Sequence, residues 1–355
     1  MRPSASSVLI RCSKLEPLIE RARMHWAGLA FASMSQNNHP ILYAGVDVAK
    51  ATLDLSLNGV SHRVGNDPKG HAHILKLLVQ AEASGRKTHV ILEATGGYEA
   101  ALCAVLHTAG QTLSVLQPAR IRHFARAQNQ HAKTDAIDAA VLAAFGQAIQ
   151  PTPAIPPSAA QSRLSALVGR RAQLVESRTC ESNRAAHYRE PVLCQQSRRL
   201  LKLLDTQIAE CDLAIAAQIQ ADQDLAARAA RLQQVSGIGP VVAAVLQAQL
   251  PELGRLEDGE AAALAGLAPY NSDSGPRQGH RSIRGGRAAV RCALYMAAMN
   301  AVRFDPILRQ FYQRLLAAGK VPKVALTAAM RKLLLLLNRL LKKPTFQLQT
   351  AGPRP

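Results

Sequence analysis

Two neighbouring stretches constrain the fold more than any others. Ile41 to Val46 is a short apolar run that ends in Asp47, and Thr52 to Leu57 (TLDLSL) alternates in period two. Runs of this kind, separated by a few residues, predict two strands joined as an antiparallel hairpin, with Asp47 inside the first strand. A third strand is expected around Ser61 to Val64, then a helix from about Lys69 to Ala83, then a buried strand His89 to Leu92 that delivers Glu93 at its end. Thr95-Gly96-Gly97 reads as a turn, followed by a helix from Tyr98 to Ala109 and a further strand from Leu113 to Leu116. Pro118 starts a basic helix containing Arg120, Arg122 and Arg126. Lys133 to Asp138 opens another helix, on which Asp135 and Asp138 share one face.

Three strands, a helix, a strand ending in an acid, a helix, a strand and a helix with two acids is the order expected of an RNase H-like α/β fold. Each acid alone has an ordinary explanation: Asp47 as a strand-end residue, Glu93 as a turn residue, Asp135 as a helix N-cap after Thr134. Jointly they ask for more, because an acid at the end of a buried apolar run is costly without a partner or a metal. Mg²⁺ prefers hard oxygen ligands, and a pair of ions roughly 4 Å apart needs several carboxylates converging from different elements to clamp a phosphodiester. Asp47, Glu93, Asp135 and Asp138 are therefore the candidate ligands.

Beyond this region, four prolines in the seven residues Pro151 to Pro157 mark a domain boundary. Helical composition follows from Ala159 to Tyr188 and from about Gln195 to Gln220. Leu200, Leu204, Ile208, Cys211, Ile215 and Ile219 recur at helical spacing and form a seam for a partner helix. A coiled-coil hairpin is the economical expectation, with the partner either the first half (Leu164, Leu167, Leu174) or a second subunit. Val235-Ser236-Gly237-Ile238-Gly239-Pro240 then precedes an Ala/Val-rich helix. An apolar-Gly-apolar-Gly turn ahead of a helix resembles a helix-hairpin-helix element, whose backbone N–H groups at Gly237 and Gly239 can meet a phosphate; a plain interhelical turn is the alternative. The remainder is expected to be mainly helical. The division expected is an extension over 1–40, a catalytic domain over 41–150, linker and hairpin over 151–230, a C-terminal domain over 231–342 and a tail over 343–355.

The stretch Asn271 to Arg291 concentrates positive charge. Arg277, Arg281, Arg284, Arg287 and Arg291 fall within fifteen residues with no carboxylate among them, a density suited to an anion such as phosphate. Gly275, Gly279, Gly285 and Gly286 permit turned backbone and close approach to a ligand. Ser274, followed by Gly275 and Gly-Pro punctuation, is the preferred nucleophile over Ser272 and Ser282, with the downstream arginines placed to stabilise charge on phosphorus. A solvated basic loop that touches nucleic acid without chemistry is the plainer reading. His280 is the one histidine in the stretch.

Composition agrees with a polyanionic partner. The chain has 355 residues, 48% of them hydrophobic, and a formal charge of +19 from 43 Lys plus Arg against 24 Asp plus Glu. No uncharged apolar run reaches the ~18 residues of a membrane span, and the most apolar helical stretch, near Val324 to Leu341, carries Arg331, Lys332 and Arg339. The six cysteines form no C-x-x-C pair, so neither a zinc site nor a disulfide framework is expected and a reducing cytoplasm fits. Residues 1–33 show no signal-peptide pattern and are expected to be dispensable, with translation starting at Met34.

The motifs GVDVAK, LEATGGYE, KTDAIDA, SGIGP, GLAPYNSDSG and IRGGRAAVRCALYMAA, in this order, resemble the transposases of insertion-sequence family one-ten. These are DEDD recombinases guided by a bridge RNA, and the resemblance covers roughly Leu42 to Leu341. It implies a RuvC-like domain in which Asp47, Glu93, Asp135 and Asp138 bind Mg²⁺ (or Mn²⁺), and a C-terminal domain in which Ser274 is the nucleophile. It also implies a dimer or tetramer on the DNA of element ends and target, a structured guide RNA, a composite active site shared between subunits, and a bacterial cytosolic setting. Arg120, Arg122, Arg126, Lys133, Gly237, Gly239 and the five arginines from Arg277 to Arg291 are the candidate nucleic-acid contacts. Two alternatives remain on the residues alone: a metal-dependent Holliday-junction-type endonuclease that uses water, and a basic nucleic-acid-binding protein without catalysis.

Overall fold

A computed structural model describes residues 41–83, 85–130, 135–271, 279 and 281–346. The expectations for residues 1–40, Lys133, Ser272, Ser274, Arg277 and His280 fall outside them. The chain divides into two compact units, Met1–Pro156 and Pro157–Pro355.

The first unit is built on a five-stranded sheet of β1 (Ile41–Val48), β2 (Thr52–Leu57), β3 (Val60–Gly65), β4 (Lys87–Glu93) and β5 (Thr112–Leu116), in the order β3-β2-β1-β4-β5. The first three strands are antiparallel, and β4 and β5 run parallel to β1. β2 turns into β3 through Asn58-Gly59, both at positive φ (52° and 78°), the pairing whose twist suits a two-residue hairpin. The helices are α1 (Pro68–Glu82), α2 (Ala100–Thr108), α3 (Pro118–Ala127) and α4 (Asp135–Ile149). Asp67 caps α1 by accepting from the Gly70 N–H at 2.8 Å, with Pro68 at the first helical position. The helix expected from Tyr98 starts two residues later, because Gly96 and Gly97 take positive φ and Glu99 folds back to accept from the Thr95 and Gly97 N–H groups.

Period two divides the strands between two apolar layers. Ala44, Val46, Leu53, Leu55, Leu57, Val90 and Leu92 pack with Ile74 and Leu78 of α1 and Leu102 and Leu106 of α2. On the other face, Tyr43 and Ile91 meet Ile121 of α3 and Val141, Leu142 and Phe145 of α4. Asp47 shares this second face with Tyr43 and Gly45. Gly45 sets how closely α4 can lie: a Cβ there would stand 2.0 Å from the Ala139 carbonyl oxygen and 2.5 Å from the Ala143 nitrogen. At Gly146 of α4 a Cβ would meet the Tyr43 ring at 2.6 Å and Ile91 at 2.7 Å. Helix and sheet thus touch through missing side chains at both ends of their contact.

Among its described residues the regular structure of the second unit is helical apart from one short strand pair. α5 (Ala159–Ala185) and α6 (Pro191–Ala221) pack antiparallel, cross-linked by Arg171 to Asp212 at 2.5 Å and by Arg178 to Asp205. The intrachain half supplies the partner for much of the expected seam: Leu164 and Val168 cluster with Ile215, and Leu204 is buried, whereas Leu200 is exposed. Pro191 opens α6, four residues before the expected start near Gln195. α7 (Gln223–Gln233), α8 (Pro240–Gln249), α9 (Asp258–Leu264), α10 (Ala288–Phe304), α11 (Pro306–Ala317) and α12 (Pro322–Lys342) enclose the remaining core, where Leu333 and Leu337 meet Val290, Leu294, Leu246 and Leu253. No helix among the described residues is long and apolar enough to cross a membrane.

Candidate active site

In β1 and β4 the Cα partner of Val46 is Leu92, so the next residues along these parallel strands, Asp47 and Glu93, emerge side by side at one end of the sheet. α4, seated on β1 by Gly45, brings Asp135 and Asp138 on its first turn to the same place. All four acids line one cleft of about 540 Å³, together with Ile121, Arg122, Ala125 and Arg126 of α3 and with Gln130. The carboxyl of Asp47 is pushed up to about 6, by burial first and then by the negative charges of Asp138, Asp135 and Glu93, against a backbone hydrogen bond at Val48. Four acids from three separate elements therefore share one electrostatic field. Among the described residues no three His, Cys, Asp or Glu side chains are grouped closely enough to hold a metal ion as they stand. The cleft is an open acidic cluster rather than a finished cage.

Two further residues join this cluster that sequence reasoning passed over. Asp54 of β2 is the cross-strand partner of Asp47, and Arg63 of β3 is the cross-strand partner of Asp54. Asp54 is only 4% exposed. Burial raises its carboxyl, Arg63 opposes that, and Asp135 adds to it. Arg63 lies 3.4 Å from Asp54 and 2.5 Å from Asp135 through the same nitrogen. The signal was present in the hairpin: a short turn between two antiparallel strands fixes which residue faces Asp47. On the cleft rim Arg122 and Arg126 are exposed, while Arg120 stacks over Phe145 at 5.4 Å.

The arginine-rich stretch of the second unit is organised differently. β6 (Pro269–Tyr270) pairs with β7 (Ser282–Ile283), and Arg284 lies over the Tyr270 ring at 4.8 Å. Arg287 forms a bidentate pair with Glu252, both contacts at 2.7 Å, and donates to the Gln249 carbonyl at 2.8 Å. Burial raises the Glu252 carboxyl, but the hydrogen bonds from Arg287 and the backbone bring it below its usual range. Arg291 donates to the Gly285 carbonyl at 2.7 Å, and Arg281 is exposed. Gly285 and Gly286 both take positive φ, and a Cβ at Gly286 would stand 2.1 Å from the Gly266 nitrogen. The absence of a side chain at Gly286 thus lets two backbone segments cross in contact. At the other predicted turn, Gly237 has φ 89° and would drive a Cβ into the Ala297 carbonyl at 2.4 Å, whereas Gly239 caps α8 facing open space.

A sheet of this order carrying converging acids is compatible with an RNase H-like catalytic domain, and the comparisons agree. A family model described as a transposase matches residues 44–188, and the model of the transposase IS116/IS110/IS902 family matches residues 229–313. The class is therefore a DNA transposase or recombinase. The chain belongs to the IS110/IS116 family of insertion-sequence transposases. It is similar to the pilin gene-inverting proteins of Moraxella lacunata and Moraxella bovis, 29% identical to each over 308 residues, 82% of this chain and 93% of theirs. A protein of insertion element IS116 from Streptomyces clavuligerus is 30% identical over 195 residues, 51% of this chain and 47% of its own.

Proposed function

We propose that the protein cuts and rejoins DNA through a phosphoserine on Ser274, with Mg²⁺ or Mn²⁺ held by Asp47, Glu93, Asp135 and Asp138 and with a structured RNA selecting the sites. The convergence of Glu93, Asp135 and Asp138 on Asp47 is the observation that carries this reading. The donor set fits a hard divalent cation: the described cleft lining offers carboxylate oxygens and neither thiol nor imidazole. A bound ion would neutralise charge developing on the phosphodiester. Asp47, Glu93, Asp135 and Asp138 would hold it, and Arg122 and Arg126 at the rim attract the backbone of the incoming strand. Ser274 Oγ forms a bond to phosphorus as the bond from phosphorus to the departing sugar oxygen breaks. The serine proton passes to a base and the departing oxygen takes up a proton. Attack by another strand's hydroxyl reverses the exchange and frees the serine.

Arg281, Arg284, Arg277 and Lys133 complete the proposed nucleic-acid contacts, and the Gly237–Gly239 turn supplies backbone N–H groups as a helix-hairpin-helix element does. The α5/α6 pair serves as a coiled-coil hairpin that supports an oligomer with a shared active site. Denaturing electrophoresis of the protein with cleaved DNA should reveal a covalent adduct that maps to Ser274 and is absent from Ser274→Ala. Cleaved DNA with no adduct would establish the water-using nuclease instead, and an adduct on Ser272 or Ser282 would move the nucleophile. Sequencing the RNA that copurifies with the protein tests guidance. Recovery of cleavage on mixing Ser274→Ala with Asp47→Ala protein tests the shared site.

A further inference from the structure

The row Asp47, Asp54, Arg63 runs straight across β1, β2 and β3 by strand register. Directly paired residues project from the same face of a sheet, so all three stand on the face that α4 covers. Asp54 is therefore interposed between a proposed metal ligand and a cation. Its side chain is 6% exposed, and a buried carboxylate is tolerated only with a partner. Arg63 is that partner, at 3.4 Å, and the same guanidinium nitrogen reaches Asp135 Oδ2 at 2.5 Å. Asp135 itself is 53% exposed and sits at the first position of α4.

We infer that Arg63, moored by Asp54, is the positioning residue for Asp135: it holds the exposed carboxylate of α4 by one oxygen, at the edge of the acidic cleft, so that the other oxygen is presented to the cation. The inference rests on the reading of the cleft as a metal site. An exposed ion pair alone fixes little, since two long side chains wander and salt screens them. Here one end of the ion chain is buried in the sheet, which restricts where the guanidinium can sit, and the restriction passes to Asp135. Outer residues that hold ligating carboxylates in this way commonly account for roughly 10–100-fold in metal affinity.

The sign of the effect separates positioning from bulk electrostatics. Removing a positive charge from an acidic cleft strengthens cation binding if charge alone matters. If Arg63 positions Asp135, removing it weakens binding. Manganese titrated into the intact, nucleic-acid-free protein and followed by the loss of the free-ion electron paramagnetic resonance signal should show Arg63→Ala binding about tenfold or more weaker than wild type. Arg63→Lys should recover part of this, as a point charge without the planar fork. Asp54→Asn should weaken binding too, and the double variant should be no weaker than Arg63→Ala, because both act through one guanidinium. Arg63→Ala binding as tightly as wild type, or tighter, overturns the inference. If Arg63→Ala does not fold, Arg63→Lys and Asp54→Asn decide, and wild-type affinity in both overturns it equally. Asp47→Ala serves as the reference for the parent reading: its binding manganese like wild type means that the cleft is not the metal site, and the inference falls with that reading.

Discussion

The acidic cleft of the first unit and the arginine-rich stretch of the second are opposites in how sequence maps onto space. Asp47, Glu93, Asp135 and Asp138 are scattered along the chain, yet they meet because parallel strands in register and a helix seated on them end at the same edge. The described arginines between 281 and 291 are crowded in sequence, yet they part company: Arg284 goes to an aromatic ring, Arg287 to a carboxylate and Arg291 to a carbonyl. Like charges brought together by long-range topology raise one another's cost, as the upward shift at Asp47 shows. Like charges that are neighbours in sequence can each find a separate partner. Crowding along a chain and convergence from several elements are thus two different arrangements of like charge.

That contrast can be broken or sharpened by substitution. The largest effect is expected at the acids. Asp47→Asn should lower strand transfer by roughly a thousandfold or more, as expected when several kcal/mol of charge stabilisation are lost, while nucleic-acid binding stays near wild type. Wild-type recombination by this variant in Mg²⁺ would remove the acids from the chemistry. The same variant has a pH signature without metal. The Asp47 carboxyl lies near 6 rather than the ordinary 3.8, so its contribution to stability is present below about 4 and lost as pH rises through 6. Asp47→Asn should therefore stabilise the metal-free protein at pH 8, by on the order of 1–2 kcal/mol, and leave it unchanged at pH 4. Equal melting shifts at both values would show that the shared field is absent.

Gly45→Ala tests the seat rather than the charge. With the Ala139 oxygen 2.0 Å from the new Cβ, α4 must shift away from β1, destabilising the protein by about 1–3 kcal/mol and reducing recombination although every acid remains. Full activity with an unchanged melting temperature would refute the geometric account. The smallest effects divide the arginines. Arg287→Ala should lower stability by about 1 kcal/mol, its pair with Glu252 being partly exposed, and leave the salt dependence of nucleic-acid binding nearly intact. Arg284→Ala should do the reverse, flattening the log-log salt slope by about one with little change in melting. An equal salt response from both would restore the stretch to a single phosphate grip.

The order of elements in the first unit was legible because strands buried on both faces read as apolar runs and because Gly and Pro punctuate their ends. Asp47 and Glu93 could be placed at strand ends for that reason, and Asp135 and Asp138 on one helix face by spacing alone. Asp54 escaped notice because a polar residue in TLDLSL reads as solvent-facing, whereas α4 covers that face and buries it. Arg63 escaped because its partner Asp135 is 72 residues away. Gly286 was legible as a flexible position but not as a packing position, since nothing local reveals that Gly266 lies against it. Arg287 is of the same kind: its carboxylate comes from Glu252, outside the carboxylate-free stretch from Arg277 to Arg291.

The seat of α4 on β1 also has a mechanical consequence. Gly45 faces the backbone of Ala139 and Ala143 and the Cβ of Leu142, atoms that no change of rotamer moves. Elsewhere in a core a neighbouring side chain can absorb a strain by repacking, but here backbone bears directly on backbone. The spacing of Asp47 from the first turn of α4 is accordingly as stiff as two hydrogen-bonded main chains in hard contact. Pressure, temperature or a mutation in the surrounding apolar layer will tend to move strand and helix as one piece, leaving the gauge of the cleft unchanged.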